Sequence, residues 1–271
     1  MDTFRVPAVL SIAGSDSSGG AGIQADIKTI AAHGLFAETA ITALTAQNTT
    51  GVRDVLEATP EFVGEQINAV FEDIPPAAVK IGMVSSAAII ETIAQHLERW
   101  RAENIVVDPV MVATSGARLI NEDASTALTG RLLPLARVIT PNIPEAIALA
   151  GRSISDADEQ QAAACELVER FGCAVLVKGG HGVADANDVL AEPTGTAGPR
   201  ITWFTHERIE TENTHGTGCT LSSAIACGLA QGLTLSDAVE QAKAYLTGAL
   251  AAGLDLGRGS GPVDHMWRHR G

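Results

Sequence analysis

Positive charge is in short supply. Lysine and arginine number 18 against 32 aspartates and glutamates, a formal net charge of −14 with a pI near 4.8. That balance excludes nucleic acid and an anionic membrane surface as electrostatic partners. A chain so acidic that still handles phosphates must concentrate its few cations locally. Aromatic residues are also scarce, at 4% beside 27 glycines and 46% hydrophobic residues. This profile excludes a coiled coil, a repeat array and a disordered chain, and suits a sheet covered by helices. There are 4 cysteines (Cys165, Cys173, Cys219 and Cys227), with no C-x-x-C pair and no metal-ligand spacing. No secretory signal pattern, no lipidation motif and no apolar run of about eighteen residues is present. Reduced thiols in a cytoplasmic protein without a membrane partner are therefore expected. A length of 271 residues without a linker or composition break is expected to form one domain over 1–271.

What is present is a recurring unit: a short apolar strand, a polar or glycine-bearing tip, then a helical pattern. The run 6–13 ends in Gly14-Ser-Asp-Ser-Ser-Gly-Gly-Ala-Gly22, and Ile23, Ile27 and Ile30 mark one helix face. This is the first half of a βαβ unit. The loop is neither a P-loop nor G-x-G-x-x-G; it serves either as a flexible connection or as room for a ligand above the strand end. A second strand over 37–48 ends in Thr45-Ala-Gln-Asn48, where Gln47 suits the edge of a heterocycle and equally the backbone of a turn. Helices over 60–71 and 86–99 flank a strand at 78–84 interrupted by Gly82, a sign of close backbone approach. Met83 beside it reads as core more readily than as a ligand wall. Ile105-Val-Val-Asp-Pro places Asp108 at a strand tip, because Pro109 cannot extend a central strand. Residues 112–118 are small and glycine-containing, as a flap would be. After a further helix, a strand from 137 ends in Thr-Pro-Asn142, and Glu145 follows at capping-box spacing. Those two residues suit capping and also half of a Mg²⁺ site. A helix over 156–171 precedes the strand that begins at Cys173 and ends in Lys178-Gly-Gly, where the lysine either reaches a phosphate or is solvated. Residues 183–210 alternate weakly, as short edge strands do, and helices over 216–231 and 235–253 follow; the second carries Lys243.

Between the last strands and helices lies Asn213-Thr-His-Gly-Thr-Gly-Cys-Thr220, with Leu221, Ile225 and Leu229 at helical spacing behind it. Gly216 to Cys219 then occupy a first helical turn, whose N–H groups lack partners and carry partial positive charge. Glycines let an anion approach that backbone closely. The same field favours the thiolate of Cys219, so a lowered thiol pKa is expected. An ordinary helix start with a small buried cysteine is the other reading of this stretch.

Taken in order, Ile12–Asp26, Ile41–Asn48, Lys80–Met83, Asp108–Met111, Ile139–Ala146, Val177–His181 and Asn213–Thr220 resemble the hydroxymethylpyrimidine/phosphomethylpyrimidine kinases of thiamine biosynthesis, in the ribokinase-like superfamily. Each stretch alone is weak; their shared order along nearly the whole chain is specific. The resemblance implies a ribokinase-like α/β fold with a central, mostly parallel sheet flanked by helices in three layers and a small flap, commonly as a homodimer. It implies ATP with Mg²⁺ as phosphoryl donor to a hydroxymethylpyrimidine and then to its monophosphate. Gly216, Thr217 and Gly218 would form the anion hole, with Cys219 as proton acceptor in the place where sugar kinases carry an aspartate. Gln47 would bind the pyrimidine in a pocket lined by Gly14, Asp26, Met83 and Val110. Asp108 and Glu145 fall at the metal, and Asn142, Lys178, Lys243 and Thr214 on the nucleotide side. Glu212 departs from the pattern by adding negative charge beside the anion loop. For the second transfer, the substrate's own phosphate is expected on the Ser15–Gly20 loop, through Ser17 and Ser18. Pyridoxal kinase is the competing activity; a non-catalytic nucleotide or pyrimidine sensor and a cysteine hydrolase using His215 are the readings from other classes.

Overall fold

The computed structural model describes residues 6–111, 121–180, 186–195 and 198–270. Nine strands form a single sheet: β1 (Ala8–Asp16), β2 (Phe36–Asn48), β3 (Gly51–Glu57), β4 (Ala78–Ile81), β5 (Ile105–Val107), β6 (Val138–Ile139), β7 (Ala174–Val177), β8 (Asp188–Glu192) and β9 (Arg200–Phe204), in the order β3-β2-β1-β4-β5-β6-β7-β8-β9. The run from β2 to β7 is parallel, whereas β3, β8 and β9 attach antiparallel at the two edges. Parallel pairing brings the carboxyl ends of β2, β1, β4, β5, β6 and β7 to one edge of the sheet, where open α/β folds place their ligands.

Side-chain alternation explains the layering. Leu10, Ile12, Val79, Ile81, Ile105, Val107, Val175 and Val177 face one way and pack on α2 (Pro60–Asp73), α3 (Ala87–Trp100), α4 (Glu122–Ala127), α5 (Ile143–Ala150) and α6 (Ala157–Phe171). Val9, Ala78, Val106, Ala174 and Leu176 face the other way, onto α1 (Gly22–Ala32), α7 (Thr217–Ala230) and α8 (Leu235–Ala251). Buried on both faces, these strands read as nearly continuous apolar runs, interrupted by Ser11 in β1 and Lys80 in β4. Full burial of an isoleucine such as Ile12 or Ile81 contributes about 1.5–3 kcal/mol. Thr59, Asn142, Asp156 and Thr234 cap α2, α5, α6 and α8 with their side chains. The three-layer α/β architecture is as expected, with two departures. β4 stops at Ile81 instead of running to 84, and β3 lies in a stretch given no strand from the sequence. All seven residues of β3 are exposed, so the burial pattern that marks the other strands is missing from it. The last part of β2, from Leu44 to Asn48, and β3 together form a largely exposed two-stranded ribbon at the sheet edge. The flap expected at 112–118 lies outside the described residues.

Candidate active site

The helix expected after the anion loop begins at Thr217, with Gly216 as its N-cap at φ 83° and no side chain closing its first turn. Among the described residues, the N–H groups of Gly218 and Cys219 take no protein partner. Those N–H groups stay available for an anion, which is what the loop's glycines suggested. Two neighbours explain the glycines. A Cβ at Gly216 would stand 1.9 Å from the Gly20 carbonyl oxygen, so the glycine-rich loop after β1 is seated on the anion loop. A Cβ at Gly218 would stand 2.9 Å from Asp108 Oδ2 and 3.6 Å from Lys178 Nζ. The start of α7 and the tips of β5 and β7 therefore meet at one point.

At that point Lys178 Nζ lies 2.7 Å from Asp108 Oδ1, which also accepts a hydrogen bond of 3.0 Å from Thr140. Both contacts fall on Oδ1, leaving Oδ2 toward Gly218. Burial would lower the Lys178 ammonium, but Asp108 and Glu145 hold it above its ordinary value. Asn142 and Glu145 form a complete capping box, with both reciprocal bonds at 2.9 Å. The capping reading of these residues is thus realised, without exhausting Glu145. Its carboxyl is buried, and burial pushes it up to about 7; Lys178 and the N–H groups of Asn142 and Met111 lower it, while Asp108 raises it. Asp108 at the tip of β5 and Glu145 in the first turn of α5, which follows β6, form a pair of carboxylates that suits a hard divalent cation. No cluster of three or more His, Cys, Asp or Glu able to hold a metal occurs among the described residues. The pair thus fits an ion such as Mg²⁺ that keeps most of its ligands from water and substrate phosphate, rather than a protein cage.

Cys219 overturns one expectation. Burial pushes its thiol up; Lys80 and a hydrogen bond from the Gly22 N–H pull it down, and Asp26 and Asp108 raise it further. Loss of solvation outweighs the helix field, so the free protein holds this cysteine chiefly as a thiol. His215 does not serve it: Nε2 lies 2.8 Å from Asp16 Oδ2. Burial alone would raise the Asp16 carboxyl, but bonds from His215, Ser18 and Ala21 together hold it well below the usual range. The histidine arrangement needed by a cysteine hydrolase is therefore not built.

On the ring side, Gly14 and Met83 face each other, since a Cβ at Gly14 would stand 3.1 Å from Met83 Cε. Met83, Val110 and Gln47 are half-buried, as residues lining a pocket are. Ser17 clamps the Gln47 backbone, with its Oγ 2.8 Å from both the N–H and the carbonyl oxygen. This contact and the bond from Ser18 Oγ to Asp16 engage the hydroxyls expected to bind the substrate's phosphate. The N–H groups of Ser18, Gly20 and Ala21 also donate to the Asp16 carboxylate. A loop wrapped around a carboxylate does not suit a second phosphate, and that expectation is corrected. Asp26, expected to line the pocket, is fully buried: it accepts bonds from Ser11 at 2.6 Å, Ser223 at 2.8 Å and Lys80 at 2.8 and 2.9 Å.

Lys243 is likewise buried, with Nζ 2.6 Å from Asp188 Oδ2, while Asp188 Oδ1 accepts the Gly179 N–H at 2.8 Å. It braces the Lys178-Gly-Gly turn and lines a cavity of about 80 Å³ with Leu221, His206, Ile209 and Leu246. Thr214 is exposed, and its hydroxyl lies 3.2 Å from Ser260 Oγ. Glu212 is exposed, and its carbonyl accepts from Ser260 Oγ at 3.0 Å. Residues 257–261 were missed from the sequence. The N–H groups of Arg258 and Gly259 reach Thr49 Oγ1 at 3.2 and 3.3 Å, and the Gly261 carbonyl accepts from the His215 N–H at 3.0 Å. This segment joins the turn of the β2–β3 ribbon to the anion loop; its clustered glycines were the available signal.

A family model described as phosphomethylpyrimidine kinase matches residues 16–264. The chain is 51% identical over 263 residues to the hydroxymethylpyrimidine/phosphomethylpyrimidine kinase of Rhizobium meliloti, covering 96% of this chain and 97% of that one. It is 50% identical to the thiamine biosynthesis bifunctional protein of Geobacter sulfurreducens, matching 97% of itself but spanning only 53% of that longer chain. Among solved structures, phosphomethylpyrimidine kinase from Clostridium difficile superposes with a TM-score of 0.79 at 44% identity, covering 89% of this chain and 98% of that one. Pyridoxal kinase from Bacillus subtilis, in an ADP complex, gives a TM-score of 0.90 at 32% identity over 98% of this chain and 100% of that one. The fold is ribokinase-like, and the chain belongs to the phosphomethylpyrimidine kinase family.

Proposed function

We propose that the protein transfers the γ-phosphoryl group of ATP to 4-amino-5-hydroxymethyl-2-methylpyrimidine and then a second one to the monophosphate, for thiamine biosynthesis. The observation that carries this reading is the meeting of the uncapped start of α7 with the Asp108–Lys178 pair in a chain of this family. Phosphoryl transfer depends on positioning and on stabilising charge. The free N–H groups of Gly218 and Cys219 donate to oxygens of the group in transit, and Lys178 supplies a cation beside them. Asp108 and Glu145 would hold Mg²⁺, which would neutralise phosphate charge and offset one of the carboxylates that keep Cys219 protonated. Gln47 and Met83 orient the ring, so that the substrate hydroxyl gives its proton, as it attacks, to Cys219 as the thiolate, the thiol having first released its own proton to solvent. Asn142 and Lys243 act one step back, as a cap and a brace.

Cys219→Ala should lower kcat by about 10²–10⁴-fold, the usual worth of general-base assistance, with ATP binding retained. Coupled ADP release on the hydroxymethylpyrimidine, its monophosphate and pyridoxal tests the whole reading; no ADP from any of the three removes it. Pyridoxal kinase is the second reading, favoured by the 0.90 TM-score of the Bacillus subtilis structure, but identity ranks it lower, at 32% against 51% for the pyrimidine kinase of Rhizobium meliloti. A sensor would have no use for Cys219 at the anion hole. No helix among the described residues is long and apolar enough to cross a membrane, and all four cysteines are free; we place the protein in the cytoplasm. A homodimer belongs to the same proposal. Leu44 and Leu56 lie opposite each other on the β2–β3 ribbon, 51% and 69% exposed, and a second ribbon would cover them. Sedimentation of a Leu44→Glu/Leu56→Glu variant as a monomer would support that interface; an unchanged dimer would place it elsewhere.

A further inference from the structure

Among the described residues, Lys80 is a fully buried cation near the site to which the mechanism above gives no task. It lies in the middle of the apolar strand β4, fully buried, and Asp26 is its salt-bridge partner. An ammonium has three donors, and burying one is costly unless it is paired and put to use. The position of the pair is specific. The Gly22 N–H reaches Cys219, and four residues further along both helices Ser223 Oγ donates to Asp26 Oδ1 at 2.8 Å. These two contacts are successive rungs between α1 and α7, one helical turn or about 5.4 Å apart. The Asp26–Lys80 pair therefore sits one turn beneath Cys219. Gly82 completes the arrangement. A Cβ there would stand 2.8 Å from Lys80 Nζ, so the glycine at this strand tip leaves the ammonium room that any other residue would fill.

We propose that Lys80 is a positioning residue for phosphoryl transfer: its ammonium, anchored by Asp26, is a fixed positive charge beneath Cys219 that stabilises the negative charge arriving on the sulfur. The inference rests on the proposed role of Cys219. The charged groups that face the thiol are Lys80 from β4, Asp26 from α1 and Asp108 from the tip of β5, with the Gly22 N–H as a neutral donor. Of these three, only Lys80 favours the thiolate, and it outweighs Asp26. Because Asp26 sits in the same pair and Asp108 also opposes the thiolate, the ammonium offsets only part of the cost of ionising the buried thiol. The cysteine is thereby kept from being permanently reactive, while Lys80 lowers the cost of charge on the sulfur during transfer.

The readout is the pH dependence of Cys219 alkylation by iodoacetamide in the free protein, followed by peptide mass spectrometry that separates it from Cys165. Lys80→Met should raise the alkylation midpoint by about one pH unit, which slows the reaction about tenfold at a fixed pH below the midpoint. Removing one member of a buried pair threatens folding. The Lys80→Met/Asp26→Asn variant therefore accompanies it; it keeps a hydrogen-bonding partner for Ser11 and Ser223 and buries no charge. Its midpoint should rise too, by less. A midpoint unchanged from wild type in the folded double variant overturns the proposal, because a merely structural pair would leave the thiol untouched. The measurement needs no turnover, so failure of the kinase reading would be seen separately, as absence of ADP release from the wild-type protein.

Discussion

Gly216 and Gly218 stand two residues apart in the anion loop, and replacing each by alanine should fail in opposite ways. At Gly216 the backbone has φ 83°, where a Cβ costs about 1–2 kcal/mol. The added carbon would also fall 1.9 Å from the Gly20 carbonyl oxygen and 3.3 Å from Ala21 Cα, so the glycine-rich loop must move by more than an ångström. Together these cost on the order of 3 kcal/mol or more, or roughly 6 °C or more in Tm at about 2–4 °C per kcal/mol. Gly218 is already inside α7, where alanine is favoured over glycine by up to about 1 kcal/mol. Its new methyl would meet Asp108 Oδ2 at 2.9 Å, a side-chain end held from the other side by Lys178 and Thr140. Gain and clash nearly offset, so Tm should stay within about 3 °C. The methyl, however, occupies the space between the anion hole and the carboxylate. Misplacing reacting groups by about an ångström costs on the order of 10²-fold, and that loss is expected in kcat/KM for ATP. Calorimetry with a coupled ADP assay measures both quantities on both variants. A Gly218→Ala enzyme with wild-type kcat/KM, or a Gly216→Ala protein with wild-type Tm, would refute the assignment of these two glycines.

Two further outcomes follow from buried groups. Glu38 on β2 is 8% exposed with Oε2 unpartnered; burial, with Asp73 nearby, pushes its carboxyl up to about 7 from an ordinary value of 4.5. The unfolded chain ionises first, so this group lowers stability as pH rises from about 4.5 through 7 and has no effect below. Glu38→Gln should accordingly stabilise the protein by up to about 3 kcal/mol at pH 8.5 and not at pH 4; equal denaturation midpoints at both pH values would exclude it. Burial pushes the Cys173 thiol up to about 12 and that of Cys227 higher still, while Cys165 and Cys219 keep part of their surface open. Ellman's reagent at pH 8 should therefore find two thiols in the native protein and all four after denaturation, and a native count of four would contradict the packing.

The strand tips were legible because a strand buried on both faces is an apolar run, and the first polar residue after it marks the sheet edge. Asp108, Asn142 and Lys178 were found that way, and parallel pairing alone brings them together. Chemistry that depends on distant partners was not legible. Asp26 and Lys80 are 54 positions apart and Asp16 and His215 are 199 apart. Nothing in either local sequence says that Asp26 is sealed below the pocket or that the Ser17-Ser18 loop is wrapped around its own carboxylate. The Cys219 thiol was misjudged for a related reason. The helix start is visible in the sequence, but desolvation is set by what packs over it, and here burial is the stronger influence. Lys80 did leave a signal: a lysine inside an apolar strand is seldom buried without a partner.

These pairs also explain how a chain of net charge −14 presents cations to a polyphosphate. The ammonium groups of Lys80, Lys178 and Lys243 are each held by a carboxylate, from Asp26, Asp108 and Asp188, and the imidazole of His215 is held in the same way by Asp16. The cations are thus fixed in place before any ligand arrives, without the mutual repulsion that unpaired neighbours would suffer. The pairs are not equivalent. Those of Lys80 and Lys243 are closed off, and their ammonium groups act by staying where they are. Lys178 is the most exposed of the three lysines, at 14% of its side chain, and its partner Asp108 has Oδ2 turned toward Gly218. Of the four, this is the pair that a phosphate and a metal ion can share between them, the cation turning to one and the free carboxylate oxygen to the other. A pair able to open in this way, between two that remain shut, lets the site receive charge without rearranging its core.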